Sequence, residues 1–166
     1  LSSVNQNAGK SEVRVDERLI KVLKRSLFYN RATGGAFDIT VEPLMELWGF
    51  REDGRMRRPT DRELYDCLRA VGCHNLTLDA KSSMAGLLQE KSRLDLGAIA
   101  VGYSVDRAVN ILRKHGIESA LINHSGDIYA LGSPPEEEGW LIEITDPLRP
   151  DETITSLRIQ NKAVST

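Results

Sequence analysis

A chain of 166 residues, 40% hydrophobic and 28% charged, can bury a real core and matches one ordinary soluble domain. Its 22 basic and 24 acidic residues leave a net charge of -2 without a long block of either sign, so the sequence offers no electrostatic footprint for nucleic acid or an anionic membrane. Cys67 and Cys73 are too few for a disulfide framework and lack zinc-finger spacing, so they read as small apolar packing groups.

In chain order, Asp16 can cap a helix running to about Arg31, with Leu19, Ile20, Leu23 and Leu27 as its apolar stripe. The run Thr33 to Thr40 follows and leads to Trp48-Gly49-Phe50. Arg51 to Arg58 is basic but short and without interleaved aromatics, so it reads as a solvated loop. Thr60 and Glu63 have capping-box spacing before Leu64, Cys67, Leu68 and Val71, and Gly72 supplies a stop. Three extended stretches are expected next, Asn75 to Asp79, Ala85 to Gln89 and Ser92 to Leu96. A third helix is predicted from near Gly102, carrying Val105, Ala108, Val109 and Leu112 inward before Gly116 ends it. Strands then dominate: Ala120 to Asn123, Asp127 to Leu131, Trp140 to Thr145, Ile154 to Ile159 and Ala163 to Thr166, with Ser133 to Gly139 as an acidic, mobile loop. Strands in runs with helices in unequal insertions predict an α+β layer fold, with mixed or antiparallel sheets, over a single domain of residues 1–166. His74, His115 and His124 lie on separate segments without metal-pair spacing and read as surface or turn residues. Trp48, Trp140 and Phe50 read as core or pocket-rim residues, with core preferred.

Two stretches carry chemistry. In Thr33-Gly34-Gly35-Ala36-Phe37-Asp38, paired glycines bare the backbone, and Phe37 beside Asp38 joins a flat apolar surface to a hydrogen-bond acceptor, as a pocket for a polar-edged aromatic ring needs. The same residues can instead end the preceding helix in a left-handed cap, with Asp38 stabilising a turn. Leu94 to Asp106 leads through small residues into a helix start, where free amides and the positive dipole end suit a phosphate. It is neither a GxGxxG fingerprint nor a P-loop, and Gly97 and Gly102 can equally serve close packing.

Taken in order, Thr33 to Phe50, Leu94 to Asp106, Asn123-His124-Ser125-Gly126-Asp127-Ile128, Trp140 to Pro147 and Ala163-Val164-Ser165-Thr166 resemble the ApbE family of FAD:protein FMN transferases. The resemblance starts at Ser3-Val4-Asn5 and implies a T-fold-like domain truncated at both ends, lacking an N-terminal strand and the C-terminal portion. It implies FAD as substrate and Mg2+ as metal, with FMN transferred to a threonine of a target protein and AMP released. Residue by residue, it places Ala36, Phe37, Asp38 and Asp95 against FAD, and the carbonyl of Ala98 on the metal. Asn5 and Thr33, in matching motifs, are further candidates for binding FAD, and Asp127 and Thr166 also stand in matching motifs.

Where the family pattern has Lys this chain has Val101, and Ser125-Gly126-Asp127 stands for Gly-Gly-Asp. Val101 keeps an alternative open: an FAD-binding or FAD-hydrolysing protein (FMN plus AMP) without protein flavinylation. The resemblance further implies an acceptor in a membrane redox complex and a place in the periplasm or cell envelope, with a lipid anchor as an option. Catalytic residues are expected outside this chain, as are the remaining metal ligands, so the chain alone should bind FAD and Mg2+ weakly. Strand edges near Val13 and Ala163 to Thr166 favour self-association.

Overall fold

The computed structural model of the chain describes residues 1–51 and 56–165. The expected basic loop at Arg51 to Arg58 therefore lies partly, and Thr166 wholly, outside the described residues. The chain divides into two units, Leu1–Ile99 and Ala100–Thr166.

In the first unit, α1 (Ser2–Gln6) and β1 (Val13–Arg14) precede the long helix α2 (Glu17–Ala32). Asp16 caps α2 by accepting from the Arg18 amide at 2.8 Å. The expected stripe faces inward, with Leu23 fully buried and Ile20 nearly so. Two shorter helices follow, α3 (Glu42–Leu47) and α4 (Asp61–Leu68). At α4 the capping box is complete: Thr60 Oγ1 accepts from the Glu63 amide, and Glu63 accepts from the Thr60 amide at 2.8 Å. After a 3-10 turn at Cys73–Asn75 come β2 (Leu76–Asp79) and β3 (Met84–Leu87). They form an antiparallel sheet in the order β1-β3-β2, with Leu78 opposite Ala85. Val4, Leu23, Ile39, Ala85 and Leu94 meet in one buried cluster.

The helix α5 (Gly97–Lys114) runs into the second unit, where Val105 and Val109 pack with Leu131. There β4 (Ala120–His124), β5 (Asp127–Leu131) and β8 (Lys162–Val164) form an antiparallel sheet in the order β4-β5-β8. A separate ribbon pairs β6 (Trp140–Asp146) with β7 (Arg149–Ile159). Along β6 the residues alternate, with Ile142 buried and Leu141 exposed, as a one-sided strand should. β1 and β8 are edge strands, which is where the sequence places its open edges.

All described strand pairs are antiparallel, in keeping with the α+β expectation. Three local expectations need correction. Ser92 to Leu96 forms no strand and joins no sheet, because both backbone groups of Leu94 bond to the Asn5 side chain instead of a neighbouring strand. α5 starts at Gly97 rather than near Gly102, because the Asp95 side chain accepts from the Gly97 amide and caps the helix early. Phe50 is 53% exposed, so it is not core. The acidic loop from Ser133 to Gly139 makes contacts of its own: the Ser133 carbonyl accepts from Ser119 Oγ, Ser133 Oγ accepts from the Gly139 amide, and Glu137 pairs with Arg158. Among the described residues no helix is long and apolar enough to cross a membrane.

Candidate functional site

The glycine loop begins as the end of α2. The Gly35 amide donates to the Asn30 carbonyl at 2.7 Å and the Gly34 amide to the Arg31 carbonyl at 3.2 Å, the two bonds of a Schellman motif. Gly34 and Gly35 have φ of +60° and +89°, and a side chain built at either would meet no atom within 4 Å. The cap thus leaves bare, exposed backbone. Thr33 Oγ1 donates to the Tyr29 carbonyl and accepts from the Phe37 amide at 2.9 Å, which folds the loop back over the helix. Ala36 is exposed, and Phe37 is half-buried with its ring edge-on to Tyr29, centroids 6.0 Å apart.

Asp38 is the hub of this loop. Its Oδ1 accepts from the Thr40 amide at 2.7 Å, from Thr40 Oγ1 at 2.5 Å and from Cys73 Sγ at 3.4 Å. Its Oδ2 accepts from the Cys73 amide at 2.9 Å and from Asn30 Nδ2 at 3.3 Å. A carboxylate offers about four lone-pair positions, so this one is filled by the protein. An incoming donor would displace the long Asn30 contact first; Asn30 also donates to the Phe37 carbonyl at 2.8 Å. Burial, then the Asp38 charge, push the Cys73 thiol up to about 12.

Asn5 ties α1 to the second motif. Its amide group pairs with Leu94 as a strand would, donating to the carbonyl at 3.1 Å and accepting from the backbone N–H at 2.9 Å. The Asp95 amide donates to the Ile39 carbonyl at 2.8 Å, which sets Asp95 beside the Asp38 loop. Asp95 Oδ1 accepts from the Gly97 amide at 2.5 Å, and Oδ2 from Arg51 Nη2 at 2.5 Å. The Gly97 amide first, and then Arg51, hold the Asp95 carboxyl below its usual value. Arg51 also donates from Nε to Glu42 Oε1 at 3.0 Å. The Arg51 end of the expected solvated loop is therefore an ion-pair bridge.

Ala98 lies exposed in the first turn of α5, where its carbonyl is the regular acceptor for the amide four residues on. Among the described residues no group of three or more His, Cys, Asp or Glu could hold a metal ion. One neutral carbonyl does not make an Mg2+ site, since that ion takes near-octahedral oxygen coordination. In the second unit Asp127 Oδ1 accepts from Ser165 Oγ at 2.5 Å. His124 Nδ1 shares a 2.8 Å hydrogen bond with Ser104 Oγ, which donates to the Val101 carbonyl. All three histidines are exposed, as expected.

The structure thus gathers Asn5, Thr33, Ala36, Phe37, Asp38 and Asp95 onto neighbouring segments of the first unit. A cleft of about 500 Å³ between α3 and α4, lined by Pro43, Leu47, Cys67, Lys91 and Arg93 among others, includes none of them. Sequence reasoning missed Asn30, Cys73 and Arg51, whose partners lie 8, 35 and 44 residues away, and no spacing rule announces such pairs.

The ApbE family model matches residues 1–166. The chain belongs to the ApbE family. It is 32% identical over 160 residues to the FAD:protein FMN transferase of Treponema pallidum, covering 89% of this chain and 44% of that protein. The Haemophilus influenzae protein of the same name is 32% identical over 151 residues, with the same coverage of both chains. Among solved structures, the ApbE protein from Thermotoga maritima superposes with a TM-score of 0.86 at 30% identity, over 98% of this chain and 52% of that one. Flavin transferase ApbE from Vibrio cholerae gives 0.86 at 29%, over 98% and 53%. This ApbE chain therefore spans about half the length of the relatives it matches.

Proposed function

We propose that the full-length protein carrying this chain transfers FMN from FAD to a protein acceptor, as the names of its relatives say of them. What supports this most is the convergence of Asn5, the Gly34 to Asp38 loop and Asp95 on adjoining backbone, with an open glycine surface next to a half-buried aromatic ring. In this reading the flavin nucleotide lies along Gly34 to Phe37. Because Asp38 is saturated, recognition falls to backbone groups and the Phe37 ring, with Asp38 holding the loop in shape.

The reaction is phosphoryl transfer. The threonine oxygen attacks the FMN-side phosphorus, a new P–O bond forms, the diphosphate bridge breaks, AMP leaves with the bridging oxygen and its electron pair, and the hydroxyl proton passes to a base. Mg2+ and an acceptor in a membrane redox complex at the cell envelope belong to the same proposal. This chain would offer the metal no more than the Ala98 carbonyl. A second reading, FAD binding or hydrolysis without protein flavinylation, draws on Val101, which leaves that stretch without a cation. Incubation of the full-length protein with FAD, Mg2+ and a threonine-bearing acceptor separates the two. AMP release with one FMN added to the acceptor is the expected result. AMP and free FMN without acceptor labelling would favour the second reading, and no flavin binding at all would overturn both.

A further inference from the structure

We propose that Arg51 is the residue that reads the anionic part of the nucleotide, exchanging its bond to Asp95 for one to a phosphate oxygen of the ligand's diphosphate. This rests on the reading of the Gly34 to Asp38 loop and Asp95 as a flavin-nucleotide surface.

The need for such a cation is visible in the charge pattern. From Thr33 to Phe50 and from Leu94 to Ile99 there is no Lys, Arg or His, whereas Asp38, Glu42, Glu46 and Asp95 are acidic. A diphosphate approaching these segments meets carboxylates, and the first amide of α5 is no substitute because Asp95 already occupies it. Arg51 is the first basic residue after the glycine loop, and it reaches across to Asp95.

The geometry suits exchange. The Arg51 side chain is 44% exposed, while the side chains of Glu42 and Asp95 are each 22% exposed. Its Nε and Nη2 face those acids, Nη2 meeting both Glu42 Oε2 and Asp95 Oδ2, and among the described residues Nη1 has no partner. Asp95 does not depend on Arg51 for its position, since its own amide is held by Ile39 and its Oδ1 by Gly97. Arg51 can therefore turn to a phosphate without unfastening the frame, with Glu42 still anchoring Nε. A guanidinium forks onto two phosphate oxygens in a way an ammonium cannot, so Lys should replace it only in part.

Fluorescence titration of the full-length protein with riboflavin, FMN and FAD tests this. Arg51→Gln should weaken FAD about tenfold or more, the scale of a lost charged hydrogen bond, while leaving riboflavin within about twofold. Arg51→Lys should fall between, and the FAD affinity of Arg51→Gln should depend less on salt than that of the parent. Equal weakening of riboflavin and FAD would overturn the proposal, because Arg51 would then act only by holding Asp95. Unchanged FAD affinity would overturn it too. Failure of the parent to bind any flavin would overturn the site itself, a result distinct from loss of phosphate selectivity.

Discussion

Replacing Asp38 with Ala separates a frame residue from a ligand contact. The carboxylate accepts from two backbone amides, Thr40 and Cys73, in part-buried surroundings, and also from the hydroxyl of Thr40, which is fully buried. Truncation leaves both amides without an acceptor at about 1 to 3 kcal/mol each, so a loss of about 2 to 4 kcal/mol is expected, allowing for water entering the gap. Against a typical domain stability of about 5 to 15 kcal/mol, that is a large fraction. Asp38→Asn should cost roughly half as much, since one oxygen remains while its amide group meets the Cys73 N–H donor to donor. Urea unfolding followed by circular dichroism gives the stability, and flavin fluorescence gives the affinity. An unchanged unfolding midpoint together with lost FAD binding would refute the frame reading and make Asp38 a direct ligand contact.

Thr60→Ala should destabilise the protein by about 1 kcal/mol, the usual worth of an N-cap, read as a shifted urea midpoint. Glu63 is held at about 2 by the Arg57 guanidinium first and the Thr60 amide next, against a usual 4.5. Because the folded value is the lower one, its contribution is fully present above about pH 4.5 and is lost as pH falls towards 2. Arg57→Gln should raise the Glu63 carboxyl titration seen by NMR, and an unmoved midpoint would refute the pairing. A thiol reagent at neutral pH should label half-buried Cys67 well before Cys73, whose thiol is buried and pushed up to about 12. Mass mapping that finds Cys73 labelled first would contradict that order. Leu23→Ala should cost about 2 to 5 kcal/mol, as for other fully buried leucines, measured by the same unfolding assay.

Helices with local signals were legible in the sequence. Asp16 and the Thr60–Glu63 box act within a few residues of themselves, so their spacing carries the whole interaction. Short elements set by distant contacts were not. α1 and α3 have five and six residues and form against partners elsewhere in the chain. Ser92 to Leu96 has the composition of a strand, but the Leu94 backbone bonds to a side chain 89 residues away. For the glycine loop, the cap and the pocket were both legible as alternatives, and the fold realises the cap: Gly34 and Gly35 close α2, and Asp38 bonds the Thr40 amide in an Asx turn.

That outcome bears on what the pocket can be. A helix cap normally finishes with a residue packed against its own helix, yet here both glycines face open space, so the cap itself makes an open backbone surface. The polar residues around it are turned inward: Asn5 onto Leu94, Asn30 and Thr40 onto Asp38, and Thr33 onto the Tyr29 carbonyl. With those groups spent on holding backbone, little side-chain chemistry remains to contact a ligand directly beyond the Phe37 ring and the Arg51 guanidinium. A ligand bound here would be recognised by the shape of the backbone, one aromatic ring and one cation. Variants of the inward-facing residues should then lower stability and affinity together, whereas Arg51 variants should change affinity for phosphorylated flavins alone. Parallel unfolding and titration series on the two groups of variants would show that split, and affinity losses without stability losses at Asn5 or Asp38 would contradict it.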